Sequence, residues 1–197
     1  MENKKRFNLI EEYGCSFLYI KKIRKLIYLI TGIFVVSALI GFFISSPEFI
    51  SKFILNYIEG LLETTKGFGI GEMFGFIFLN NIKGSFFGVI LGVILGVFPV
   101  WGALSNGYVL GFVASKVVAE QGSFVLLRLI PHGIFELPAI FISLGMGLKL
   151  GLSLFRKKGQ YDFFRENLIQ CLRVFALIIV PLLIIAAILE SLFMFLL

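Results

Sequence analysis

The apolar positions of this chain fall into long unbroken runs, interrupted in one place by a run with a helical period. The first run covers residues 26–46, close to the ~20 residues a membrane-spanning helix needs. No small-residue cleavage site follows it, so it reads as a retained span rather than a signal peptide. Residues 47–66 are patterned differently. Phe49, Ile50, Phe53, Ile54, Tyr57, Ile58, Leu61 and Leu62 recur in pairs every four residues, while Glu48, Lys52, Asn56, Glu59 and Glu63 fall on the opposite side. That period predicts an amphipathic helix, capped by Ser46, with Pro47 in its first turn and Gly67 and Gly69 after its end. It is expected on the outer membrane surface or folded back over the bundle. A second short helix over 71–82 completes an outer segment, 47–83, and Asn80-Asn81 leads into the next span.

Four further spans and a turn follow from the same pattern. Span 2 is placed at 84–101 and ends at or kinks on Pro99. The turn chemistry of Ser105-Asn106-Gly107 separates it from a short span 3 at 106–119. Span 4 covers 131–155, a basic loop 156–173, and span 5 174–195. The predicted fold class is all-α: a polytopic membrane helix bundle of about five transmembrane helices plus an outer amphipathic helix, in a single membrane domain, 1–197.

Composition supports that reading. Of 197 residues, 58% are hydrophobic and 15% charged, too few charges to cover a water-facing surface, where about a quarter is usual. The net charge of +6 lies beside the apolar runs, so lipid headgroups and topology account for it and nucleic acid is not an expected partner. Residues 1–25 form a basic segment. With this segment and the stretch near 149–173 inside, cytoplasmic stretches hold thirteen of the eighteen basic residues. The expected location is therefore the cell (plasma) membrane, multi-pass, with the N-terminus in the cytoplasm. Cys15 and Cys171 both fall on that side, where a structural disulfide is not expected.

Two features single out residues. Gly84, Gly88, Gly92 and Gly96 repeat every four residues, a glycine zipper that lets a second helix approach closely; Gly107, Gly111 and Gly133 extend the set of packing candidates, and the zipper alone suggests a homodimer. The second feature is Pro131-His132-Gly133-Ile134-Phe135-Glu136-Leu137-Pro138. His132 and Glu136 share a helix face, and Arg128, Asn106 and Glu190 complete a candidate intramembrane polar site, costly unless it faces the bundle interior. A metal would need more ligands than this single histidine and its neighbours offer. No catalytic constellation is present, so no enzyme, cofactor or metal is expected. A hydrogen-bonded clamp and a proton or ion relay are the readings left open.

The order Asn80-Asn81, spaced glycines, Asn106-Gly107 with Gly111, and then Pro131-His132-Gly133 with Glu136 resembles the stage II sporulation protein M family of integral membrane proteins. The likeness is closest over residues 70–155. It implies a membrane component without catalytic chemistry that works with peptidoglycan-degrading partners at the septal membrane. Similar proteins in organisms that form no spores keep that role from being carried over. The functional expectation is a non-enzymatic membrane scaffold or accessory protein with the bilayer and membrane proteins as partners; the alternative is a small channel or transporter using His132 and Glu136.

Overall fold

The computed structural model describes residues 8–94, 96–124, 126, 130–155 and 160–196, with side chains described throughout except at 130–132, 160, 195 and 196. Among the described residues the chain is helical without strands: α1 (Leu9–Phe43), α2 (Glu48–Thr65), α3 (Ile70–Ile90), α4 (Val97–Gln121), α5 (Ile130–Ser153), α6 (Gln160–Val174) and α7 (Val180–Leu196). Five stretches are long and apolar enough to cross a membrane: Leu9–Phe43, Ile70–Val93, Val97–Gln121, Gly133–Ser153 and Tyr161–Met194.

The helices start and stop in places the pattern alone does not mark. α1 begins well before the first apolar run, because Asn8 Oδ1 accepts the N–H of Ile10 at 3.1 Å and Glu11 and Glu12 occupy the first turn, where the helix dipole favours acidic groups. Ser16, Tyr19 and Ile23 of this polar stretch are buried against α6. α2 forms where its period predicts, but its capping differs. Pro47 occupies the cap position with no side-chain bond, and the Ser46 hydroxyl instead meets the Tyr108 hydroxyl of α4 at 2.6 Å. Gly67, at φ +84°, turns the chain after α2.

The largest correction concerns residues 70–121. The short outer helix at 71–82 and the span at 84–101 are replaced by a single helix, α3, whose start is fixed by the Gly69 N–H donating to Glu72 Oε2 at 2.8 Å. The helix break expected at Ser105-Asn106-Gly107 comes instead after a single 3-10 turn (Leu91–Val93), with Gly96 at φ +73°. Pro99 neither kinks nor ends a helix: it sits in the first turn of α4, where a missing N–H costs nothing. Ser105 and Asn106 lie inside α4, with Ser105 Oγ donating to Trp101 O at 2.9 Å and Asn106 Nδ2 to Gly102 O at 2.8 Å. The basic loop 156–173 is also corrected from Gln160 onward, since α6 continues through a π turn, Phe175–Ile179, directly into α7; residues 156–159 lie outside the described part.

α5 is the centre of the bundle and touches α1, α3, α4, α6 and α7. Its buried Met146 and Leu150 pack with Tyr19, Val89, Val174 and Leu183, and its Leu144 and Leu148 pack with Ile30, Phe34 and Ala103. Outward-facing Tyr28, Val36, Phe43, Ile185 and Ile188 are exposed on α1 and α7, which suits a lipid surround. α2 lies at one end of the bundle and α6 at the other.

Candidate intramembrane site

Glycines build the walls of the site. Lipid tails are as apolar as the helices, so helix association in a bilayer depends on close packing, and glycine permits it. A Cβ placed on Gly107 or Gly111 would overlap the carbonyl oxygens of Phe34 and Ala38, and one on Gly41 would overlap that of Tyr108. α1 and α4 therefore run parallel in backbone contact, and Ser37 Oγ donates to Leu104 O across the seam at 2.6 Å. A second seam joins α3 to α5. There Gly92 lies on the backbone of Gly147, Gly147 on that of Gly88, and Gly151 on Gly92 and Gly96. Within the zipper only Gly88 and Gly92 belong to helix-on-helix contact. A Cβ on Gly84 would meet nothing within 4 Å, Gly96 forms the turn and leans on Leu148, and Gly133 has Leu137 of its own helix nearest at 3.3 Å.

Between these walls the bundle is hollow. α5 presents Gly133, Glu136, Leu137 and Ile140, α7 presents Glu190 and Met194, and α4 presents Asn106 to a cavity of about 800 Å³, whose remaining wall is the Phe34–Phe42 face of α1. This falls within the ~300–1,000 Å³ of small-molecule sites. A second cavity of about 310 Å³ lies beneath α2, lined by Ile58, Leu61, Leu62 and Thr65, with Asn80 and Asn81 of α3 opposite. Glu136, Glu190 and Met194 line both cavities. The two carboxylates thus stand where the cavities meet.

Depth follows from helix geometry. Glu136 is six residues from the start of α5 and Glu190 six from the end of α7, so each lies roughly 9 Å inside the α2 end of the bundle. Towards the α6 end the hollow stops. Phe34 and Phe141 meet edge to face at 5.1 Å between centroids, and Ile30, Ala103, Leu144 and Leu148 fill the space behind them.

Of the residues singled out from the sequence, the fold brings Glu136, Glu190 and Asn106 to one cavity. Arg128 and the side chain of His132 lie outside the described residues. Both glutamates are half-buried, and Glu190 Oε2 has almost no contact with solvent. Each carboxylate is engaged by neighbouring groups. A carboxylate has about four acceptor sites, so an engaged one still accepts further N–H or cationic donors. By sequence, Asn80 and Asn81 give only a lead-in to a span. Their place ten residues into a membrane-length helix was the missed signal, and it is legible only once the start of α3 is known.

A separate polar group lies at the α6 end. Tyr19 Oη donates to Asn167 Oδ1 at 3.1 Å and lies 3.5 Å from Cys171 Sγ, and Arg173 pairs with Glu12. Cys15 is exposed and Cys171 buried, both as free thiols. Among the described residues no three His, Cys, Asp or Glu side chains gather as a metal site would require.

Comparison with known proteins bears on this arrangement. An uncharacterized protein of Methanocaldococcus jannaschii is 42% identical over 65 residues, which make up 33% of this chain and 29% of that protein. The chain therefore spans under a third of the length of the curated relative it matches. No solved structure matches it. The family model described as Stage II sporulation protein M matches residues 30–193, which includes α2 to α5, both seams and both glutamates. With five membrane-length helices and a match across most of its length, the chain is a multi-pass membrane protein and belongs to the stage II sporulation protein M family.

Proposed function

We propose that this protein is a small transporter in which Glu136 and Glu190 bind a cation or proton at a site reached from the α2 end of the bundle. The observation that carries the reading is the pair of cavities that share these two carboxylates. Ionisable groups held inside a membrane usually serve ion or proton pathways, and this pair lines space large enough to admit a ligand. The packed layer of Phe34, Phe141, Leu144 and Leu148 behind the larger cavity favours a site exposed to one side at a time over an open pore. In the proposed orientation the N-terminus is cytoplasmic, the α2 end faces outward, and the membrane is the cell membrane.

Reconstitution into liposomes tests this. Proton or monovalent cation flux is expected in the wild type and not in Glu136→Gln or Glu190→Gln, with all three equally folded. Folded protein without flux under either a pH or a cation gradient removes the transport reading.

The scaffold reading keeps one specific support. α2 exposes Phe49, Phe53 and Tyr57 on its outward side, a face that suits a headgroup layer or a membrane partner. Cross-linking from Phe53 in native membranes is expected to return a defined protein if that face recruits one, and lipid alone if it does not.

A further inference from the structure

We infer that the larger cavity takes an amphiphile with one alkyl chain and an ammonium head, entering sideways from the leaflet on the α2 side. This rests on Glu136 and Glu190 being a binding site, and it names the ligand class. The cavity is polar at one end only. The two carboxylates sit at the α2 end, and the wall between them and the middle of the bundle is aliphatic and aromatic apart from Asn106. An inorganic cation would sit at the carboxylates and leave the rest of an apolar hollow empty, whereas an alkyl chain fills it.

The dimensions agree. The α1 wall runs from Phe34 to Phe42, eight residues or about 12 Å of helix, which suits an extended aliphatic chain lying along the helices. The hollow also opens to the side. Val35 and Leu39, which line it, are 47% and 51% exposed on the outer surface of α1, a surface that lipid covers in a bilayer. A chain can therefore pass from the bilayer without crossing water, and its ammonium reaches carboxylates about 9 Å below the helix ends. An anionic head would meet two carboxylates there.

The test uses the intact protein in phosphatidylcholine nanodiscs, with dodecylamine, dodecanol and dodecanoic acid as probes and protein-free nanodiscs as the partition control. Dodecylamine is expected to bind saturably, at least about tenfold more tightly than dodecanoic acid. Binding is expected to weaken by about the same factor in the double variant Glu136→Gln, Glu190→Gln, and to be lost in Val113→Trp, which fills the hollow while keeping both carboxylates. Equal binding of amine and acid, or undiminished amine binding in Val113→Trp, overturns the inference. If the double variant does not fold, Val113→Trp decides alone. Cation flux that depends on the glutamates, without amine binding, leaves the transport reading standing and this inference refuted.

Discussion

The α3–α5 seam and the Glu136–Glu190 cavity lie a few turns apart on the same central helix, yet they are built on opposite principles. At the seam, Gly147 and Gly151 of α5 meet Gly88 of α3 and Gly92 of the 3-10 turn that follows it backbone to backbone, so no space is left for a side chain or a solvent molecule. At the cavity, the same α5 presents Gly133 and Glu136 to a hollow. The difference is in what stands opposite. Glycine opposite glycine closes a gap, whereas Gly133 faces the side chains of other helices, Val109 and Val113 among them, across an open space. Glycine content therefore reports possible closeness, and only the partner helix decides between a joint and a chamber.

Substitutions can break this contrast. The largest effect is expected at the seam. Gly92→Ala places a Cβ on the backbone of Gly147, where neither side can rotate away, and is expected to cost at the upper end of the ~1–3 kcal/mol of overpacking or beyond it. Unfolding in mild detergent measures the loss, and an unchanged midpoint would show that α3 and α5 are not in contact. Gly111→Ala is expected to be nearly as costly, because it forces α4 off Ala38 of α1. Tyr19→Phe comes next: it removes the donor to the buried Asn167 Oδ1, at ~1–3 kcal/mol for an acceptor left unpaired. The smallest change is expected at Gly84→Ala, where the added Cβ meets nothing and helix propensity even favours alanine by up to ~1 kcal/mol. A large loss there would place a second chain against that face of α3.

Much of the bundle was legible because lipid-facing runs announce themselves. The apolar stretches of α1, α4, α5 and α7 and the amphipathic period of α2 are plain in the residues. The misreadings share one cause. Ser105-Asn106-Gly107 has the residues of a water-exposed turn, but in an apolar surround a turn would leave its backbone groups unbonded. The chain keeps the helix and lets Ser105 and Asn106 bond back to Trp101 and Gly102. Asn80-Asn81 reads as a terminus for the same reason, which hides the start of α3 and with it the polar wall of the smaller cavity. The true break at Gly96 carried only one mark, a glycine that also fitted the zipper. In the candidate site, Glu136 and Asn106 were marked by the cost of polarity in an apolar run, whereas the hollow that joins them depends on side chains from four helices and leaves no local trace.

The π turn at Phe175–Ile179 has a bearing on how this chain tolerates insertions and deletions. Such a turn amounts to one extra residue accommodated within an α-helix, and each residue advances the helix by about 100°. Everything beyond it, including Glu190, is rotated by that amount relative to an uninterrupted helix from α6. Removing a single residue between 175 and 179 should relax the helix to regular winding and leave Glu190 on the cavity wall, because the turn gives up the residue it had absorbed. A one-residue deletion between Val180 and Ile188, where no turn holds a residue in reserve, would instead rotate Glu190 by about 100° and silence the site as surely as replacing the carboxylate.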